Sequence, residues 1–313
     1  MKWLWTVLRI VIGLALIAFL LWKCNLGRIL QHMRNMDISY LALALLVYLI
    51  FIIISAWRWQ LLLEHKKVAM PFLRTLAVYF ISIFFSNVFP TTIGGDVMRI
   101  VYGPSTSRTE SLGTVIADRI LGFIGLFLFA LIWVLYIMIF QRRVEFLSFT
   151  VIGLAVLLLL TYFLFSEKTY VFFTPLLQRI RIFRLGERLS NLHLMMTGYG
   201  GAWGLLAFCV LQSMVIQALL AIAPMFVLRS MGNFQTGILP FFIYVPVINI
   251  ISMIPVSLNA LGVRENAYVI FFSRVGLDSA VSFTMSLVSF FMFFILSLIG
   301  GICFLFYRNR KKT

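Results

Sequence analysis

Two stretches of this chain set carboxylates and arginines beside helix-breaking residues inside otherwise apolar sequence. The first is Phe89-Pro90-Thr91-Thr92-Ile93-Gly94-Gly95-Asp96 with Arg99. The second is Ile254-Pro255-Val256-Ser257-Leu258-Asn259-Ala260-Leu261-Gly262-Val263-Arg264-Glu265. Each has a Pro break, small hydroxyl residues, Gly, and then a carboxylate and an arginine. Asp118 and Arg119 add a third charged group within an apolar run. A charge inside a bilayer costs roughly 2.5–3.5 kcal/mol on insertion scales, so it pairs or faces water. Two chemistries fit these residue types. In one, Asp96 with Arg99, Asp118 with Arg119 and Arg264 with Glu265 are buried ion pairs that lock a helix bundle. In the other, the arginines take a lipid phosphate, which their planar fork suits, while the carboxylates compensate them or hold a cationic head group. The substrate-binding set on that reading is Pro90, Gly94, Gly95, Asp96, Arg99, Asp118, Arg119, Pro255, Gly262, Arg264 and Glu265.

The elements that must position these groups are membrane helices. The chain has 313 residues, of which 62% are hydrophobic and 12% charged, and several apolar runs reach the roughly 20 residues needed to cross a bilayer. The fold class expected is an all-α polytopic membrane protein. Spans are expected at about Leu4–Trp22, Tyr40–Leu63, Leu112–Phe140, Phe146–Phe165, Ala202–Leu228 and Ser279–Tyr307. Met1-Lys2 and the run to Trp22 resemble a signal peptide, but no small-residue cleavage site follows, so a retained first helix is expected. Trp57 and Trp59 around Arg58 read as interfacial anchors. The arginines of Ser166–Gly200, interspersed with Leu, Ile and Phe, suit an amphipathic helix at the membrane surface.

Topology follows from the Lys and Arg distribution. If every apolar run spanned, the basic 166–200 segment would be exported, which short basic segments resist. If residues 71–103 and 238–275 are instead re-entrant hairpins dipping from opposite sides, that segment and both termini are cytoplasmic. Six full spans and two opposed hairpins, forming a single domain over residues 1–313, is the arrangement expected. Pro90 and the Gly94-Gly95 pair stop the helix at the first tip, and such breaks at membrane depth need protein walls or a water-filled cavity.

Lys and Arg number 26 against 10 Asp and Glu, but they sit in short loops, so nucleic acid is not an expected partner. Cys24, Cys209 and Cys303 lack metal-ligand spacing and read as apolar fillers. His32, His65 and His193 fall at unrelated positions, so no metal and no cofactor is expected. Gln212, Ser213 and Gln217 share a helical spacing that suits hydrogen bonds between helices. No nucleotide-binding loop, GxSxG or HExxH occurs, and no catalytic residue is assigned.

At Asn87–Arg99 and Pro255–Glu265, with Trp57-Arg58-Trp59 and Asp118-Arg119, the sequence resembles the lysylphosphatidylglycerol synthase transmembrane-region family, also described as flippase-like and as UPF0104-type. The family more often has Glu before that second arginine. In full-length relatives a soluble aminoacyl-transferase domain follows this region. Here the sequence ends at Thr313, so the resemblance implies lipid translocation without the synthase activity. It implies a phospholipid or polyprenyl-linked lipid as cargo and a prokaryotic inner membrane as location. A separately encoded transferase and self-association remain open as partners. The other readings are an accessory subunit of a lipid-modifying or glycan-lipid pathway and a membrane enzyme acting on a lipid phosphate with Asp96 or Glu265 as base.

Overall fold

A computed structural model describes residues 18–19, 26–68, 70–89, 93–104, 108–142, 147–165, 194–196, 198–253 and 257–310. The regular elements among them are all helical. They are α1 (Leu26–Arg34), α2 (Ile38–His65), α3 (Phe72–Val88), α4 (Ile93–Tyr102), α5 (Arg108–Gln141), α6 (Leu147–Phe165), α7 (Trp203–Ser230), α8 (Leu239–Ser252), α9 (Val263–Ser273) and α10 (Ser279–Arg310). Among the described residues, α2, α5, α7 and α10 are long and apolar enough to cross a membrane. The protein is a polytopic helical membrane protein, as its composition requires. The expected first span lies outside the described residues apart from 18–19, and so does most of the 166–200 segment. Pro90, Thr91, Thr92 and Ile254, Pro255, Val256 at the two tips are also outside them.

Hydroxyl residues are tolerated inside these apolar helices because they bond back to the preceding turn. Thr161 donates to the Leu157 carbonyl, Thr284 to Ala280 and Ser289 to Met285, at 2.6–2.7 Å.

The described residues group into two compact units. One comprises Met1–Ile53, Ala77–Met98 and Gln217–Thr313. Within it α8 and α9 form an antiparallel pair. Phe241 near the start of α8 meets Phe272 near the end of α9 at 4.9 Å between ring centroids, and Tyr244 stacks on Phe271 at 5.5 Å. The turn between them uses positive φ at Asn259 (48°), Ala260 (57°) and Gly262 (81°). The conformation of Gly262 is one that a Cβ would strain. Ile29 of α1 is buried against Val269 of α9 and Ala280 and Phe283 of α10.

The start of α4 folds back on the end of α3. Here the glycine pair acts differently from the sequence reading. Gly94 and Gly95 do not stop a helix. They form the first turn of α4, and a Cβ on Gly95 would overlap Ser86 Oγ and the Ser82 carbonyl oxygen. Gly94 leaves room for the Phe89 side chain, while the lack of a side chain at Gly95 allows two backbones to touch, as small residues do in membrane helix packing. Gly300 of α10 does the same against the Phe80 carbonyl of α3.

The second unit comprises Ile54–Leu76 and Arg99–Ile216. Its core joins Leu62, Ala117, Leu121, Phe165, Tyr199 and Cys209. Cys209 is a buried free thiol, in keeping with a filler role. Tyr199 donates to the Leu62 carbonyl at 3.2 Å. Burial first, and the charge of Glu110 second, push its phenol above the ordinary range, so it keeps the donated proton. His65, the last residue of α2, stacks on Tyr199 at 5.2 Å, and Lys66 donates to the Met195 carbonyl at 2.9 Å.

Candidate functional site

Four of the charged residues singled out in the sequence, Arg99, Asp118, Arg264 and Glu265, fall into two clusters of different character. The first lies in the second unit and starts from Trp57-Arg58-Trp59. Successive helical residues turn about 100° around the axis, so the three cannot share an interface. Trp57 is 44% exposed, whereas Arg58 and Trp59 are buried. The expectation that Trp57 and Trp59 are both interfacial anchors is therefore corrected. Only Trp57 faces outward, and Arg58 enters the protein.

Inside, Arg58 donates from Nε to Asp118 Oδ1 at 2.7 Å and from Nη1 to Ser213 Oγ at 2.6 Å. Arg99 approaches the other carboxylate oxygen through Nη2 at 2.9 Å. Its guanidinium also lies 4.4 Å from the centre of the Trp59 ring. Trp59 in turn donates to Thr114 Oγ1 at 3.0 Å. Asp118 thus serves two arginines from other helices. The arginines that Asp118 meets are Arg58 and Arg99 and not the expected neighbour Arg119, which is one residue further around α5 and half-buried. Ser213 confirms the expectation of a hydrogen bond between helices. The side-chain amide of Gln212, also buried, has no partner among the described residues.

The second cluster lies wholly in the first unit. Glu265 is the third residue of α9 and is fully buried. Its Oε2 accepts the Gly262 backbone N–H at 2.5 Å, capping the helix start with one of its own first-turn residues. Its Oε1 accepts from Arg264 at 2.6 Å through Nη2 and 3.1 Å through Nε. Ser286 of α10 reaches the same oxygen at 3.5 Å. Here the expected Arg264–Glu265 pair is present. Asp96 likewise falls in the first turn of α4, where a carboxylate complements the helix dipole.

Arg264 is not enclosed as Arg58 and Arg99 are. Its side chain is 20% exposed, and it borders a cavity of about 290 Å³ with Tyr48, Asn249, Tyr268, Ser286 and Phe293. Its guanidinium lies 4.6 Å from the centre of the Phe290 ring, another lining residue. A cation held between an aromatic face and a carboxylate, beside an open space, is a place where an anion can dock.

The two tips also meet within this unit. Asn259 donates from Nδ2 to the Asn87 carbonyl at 2.7 Å, so the turn between α8 and α9 is bonded to the last turn of α3.

A family model described as the lysylphosphatidylglycerol synthase TM region matches residues 6–301. The chain belongs to that family. Among similar proteins is a UPF0104 membrane protein of Pyrococcus horikoshii, 28% identical over 330 aligned positions that cover 97% of each chain. Another is a UPF0104 membrane protein of Methanothermobacter thermautotrophicus, 27% identical over 169 residues, which cover 53% of this chain and 47% of that one. No solved structure matches. Membership of the family ties the chain to membrane lipids, and its helices make it a multi-pass membrane protein.

Several residues of these clusters escaped sequence reading. Arg58 is a charge within an apolar run, but its two flanking tryptophans suggest a membrane boundary and not a buried ion cluster. Asn249 was a lone amide in the apolar run after Ile238, which is a signal, whereas Tyr48 and Tyr268 look like any other membrane aromatic.

Proposed function

We propose that this protein moves a lipid between leaflets, with the head group passing through the cavity beside Arg264. The observation that carries the reading is the placement of Arg264, whose charge is oriented by buried Glu265 and presented to a cavity with an aromatic lining. A lipid phosphate would meet this guanidinium, and Glu265 would hold it in place. Arg58, Asp118 and Arg99 would set the architecture.

The helices around the tips support a re-entrant reading of the two hairpins. At 1.5 Å per residue, α3 and α8 are about 26 and 21 Å long, short of the ~30 Å hydrocarbon core. The bond between Asn259 and Asn87 then joins two hairpins entering from opposite sides. With both termini cytoplasmic and the protein in a prokaryotic inner membrane, the basic 166–200 segment stays on the cytoplasmic side. The reading is of a transporter and not an enzyme: the movement requires no covalent step.

The test is lipid movement in proteoliposomes that carry a fluorescent phospholipid in both leaflets, followed by an impermeant quencher. Protein-containing vesicles should lose fluorescence beyond the outer-leaflet half, while protein-free vesicles stop there. Equal loss in both overturns the reading. Chemical conversion of the lipid by protein in detergent, where no leaflets exist, would favour an enzyme instead.

A further inference from the structure

The lipid-moving reading leaves the head group unspecified, and three polar groups at the cavity narrow it. Arg264 uses Nε and Nη2 on Glu265, and its Nη1 has no hydrogen-bond partner among the described residues. Asn249 of α8, in an otherwise apolar stretch, has a side-chain amide with no partner among them either. The hydroxyl of Tyr268 of α9 is in the same position, although its ring is stacked on Phe272 at 5.5 Å. Polar groups at membrane depth normally find partners, because hydrocarbon offers none. Three at one cavity mark a place that a polar ligand completes.

We propose that this cavity binds one lipid-borne phosphate, with Arg264 Nη1, the Asn249 amide and the Tyr268 hydroxyl as its donors. Its charge decides the number of phosphates. Among the described residues of the lining Arg264 is the sole charged one, and Glu265 lies directly behind it. One guanidinium already shared with a carboxylate matches a singly charged phosphodiester and opposes a diphosphate, which brings about three negative charges. The volume decides how much of the lipid enters. About 290 Å³ is at the lower edge of the roughly 300–1,000 Å³ of sites that enclose a whole drug-sized ligand. It admits a head group and leaves the acyl chains in the membrane. Tyr48, Phe290 and Phe293 supply apolar surface for the glycerol and first methylenes, which free phosphate cannot use. This inference rests on the lipid-moving reading but adds Asn249 and Tyr268 to the site.

The test is calorimetric titration of the purified full chain in detergent with four probes. They are dihexanoyl phosphatidylglycerol, dihexanoylglycerol, farnesyl diphosphate and inorganic phosphate. The expected result is binding of the phosphodiester lipid, with the other three at least tenfold weaker. Asn249→Ala and Tyr268→Phe should each weaken the phosphodiester by about tenfold, the scale of one hydrogen bond to a charged group. The double variant Arg264→Gln with Glu265→Gln, which leaves no single charge buried, should abolish binding while melting like wild type. Equal binding of dihexanoylglycerol, tighter binding of farnesyl diphosphate, equal binding of inorganic phosphate, or no effect of Asn249→Ala and Tyr268→Phe would each overturn the single-phosphate site. The two readings fail separately. Transport that survives loss of this binding pattern refutes the site and leaves lipid movement standing, whereas the binding pattern without transport refutes lipid movement and leaves the site.

Discussion

Asn259 and Asn87 lie 172 positions apart in sequence and share a 2.7 Å hydrogen bond from the side-chain amide of one to the backbone carbonyl of the other. The carbonyl belongs to the last turn of α3, where helical acceptors lack intrahelical partners. The donor sits in a turn with φ of 48°, a conformation Asn adopts more readily than most residues. One residue type therefore meets both needs, the turn and the bond.

Replacing Asn259 separates these roles. Asn259→Gly keeps the turn and loses the bond, and should lower stability by about 1 kcal/mol. Asn259→Leu loses both and should be the less stable of the two, since strained αL backbone adds roughly 1–3 kcal/mol. Thermal unfolding in detergent reads the order. Equal melting of Leu and Gly variants would contradict it.

Asp118 joins Arg58 and Arg99 in a buried ion cluster. Asp118→Ala leaves two buried guanidiniums without their shared carboxylate and should cost about 3–5 kcal/mol, seen as a large drop in melting temperature or loss of folded protein. Asp118→Glu should recover only part. By contrast, Arg119→Ala leaves this cluster intact and should be the milder change. A wild-type melt for Asp118→Ala would show that the cluster does not hold the unit together.

Gly95 and Gly300 are sites of backbone contact. Gly95→Ala and Gly300→Ala should each destabilise, because the atoms they would overlap include the carbonyls of Ser82 and Phe80, which cannot rotate away. The overpacking cost is about 1–3 kcal/mol. Gly232, where an added Cβ meets nothing, tests the distinction from backbone strain: it has φ of 80°, so Gly232→Ala should cost only strain and Gly232→Asn less.

The hairpin topology predicts labelling by an impermeant thiol reagent in a background without Cys24, Cys209 and Cys303. Single cysteines at Thr106 and Gln178 should label from the cytoplasm, and those at Asn233 and Asp278 from outside. Labelling of Gln178 from outside would replace the hairpins with full spans.

Long apolar runs were legible because a bilayer imposes length and composition directly. The observed α2, α6 and α10 begin within two residues of the expected Tyr40, Phe146 and Ser279. The pairing of charges was legible only where it was local. Arg264 and Glu265 are neighbours in sequence and pair as expected. Arg58 and Asp118 are 60 residues apart, and no period in the sequence joins them. Sequence proximity instead suggested Arg119, which helical geometry turns to another face. Gly94 and Gly95 misled for a related reason. Glycine reads as a breaker when the only context is the chain itself, but in α4 its value lies in what packs against it. The cavity residues Tyr48, Asn249 and Tyr268 come from three helices, and only their convergence makes them a site.

The central claim is that Arg264 conducts a lipid head group between leaflets. Its most direct test is the rate of phospholipid movement in proteoliposomes containing the Arg264→Gln, Glu265→Gln double variant, measured beside wild type at matched incorporation. The account predicts a rate at the level of protein-free vesicles, from a protein that melts like wild type. A wild-type rate would contradict it.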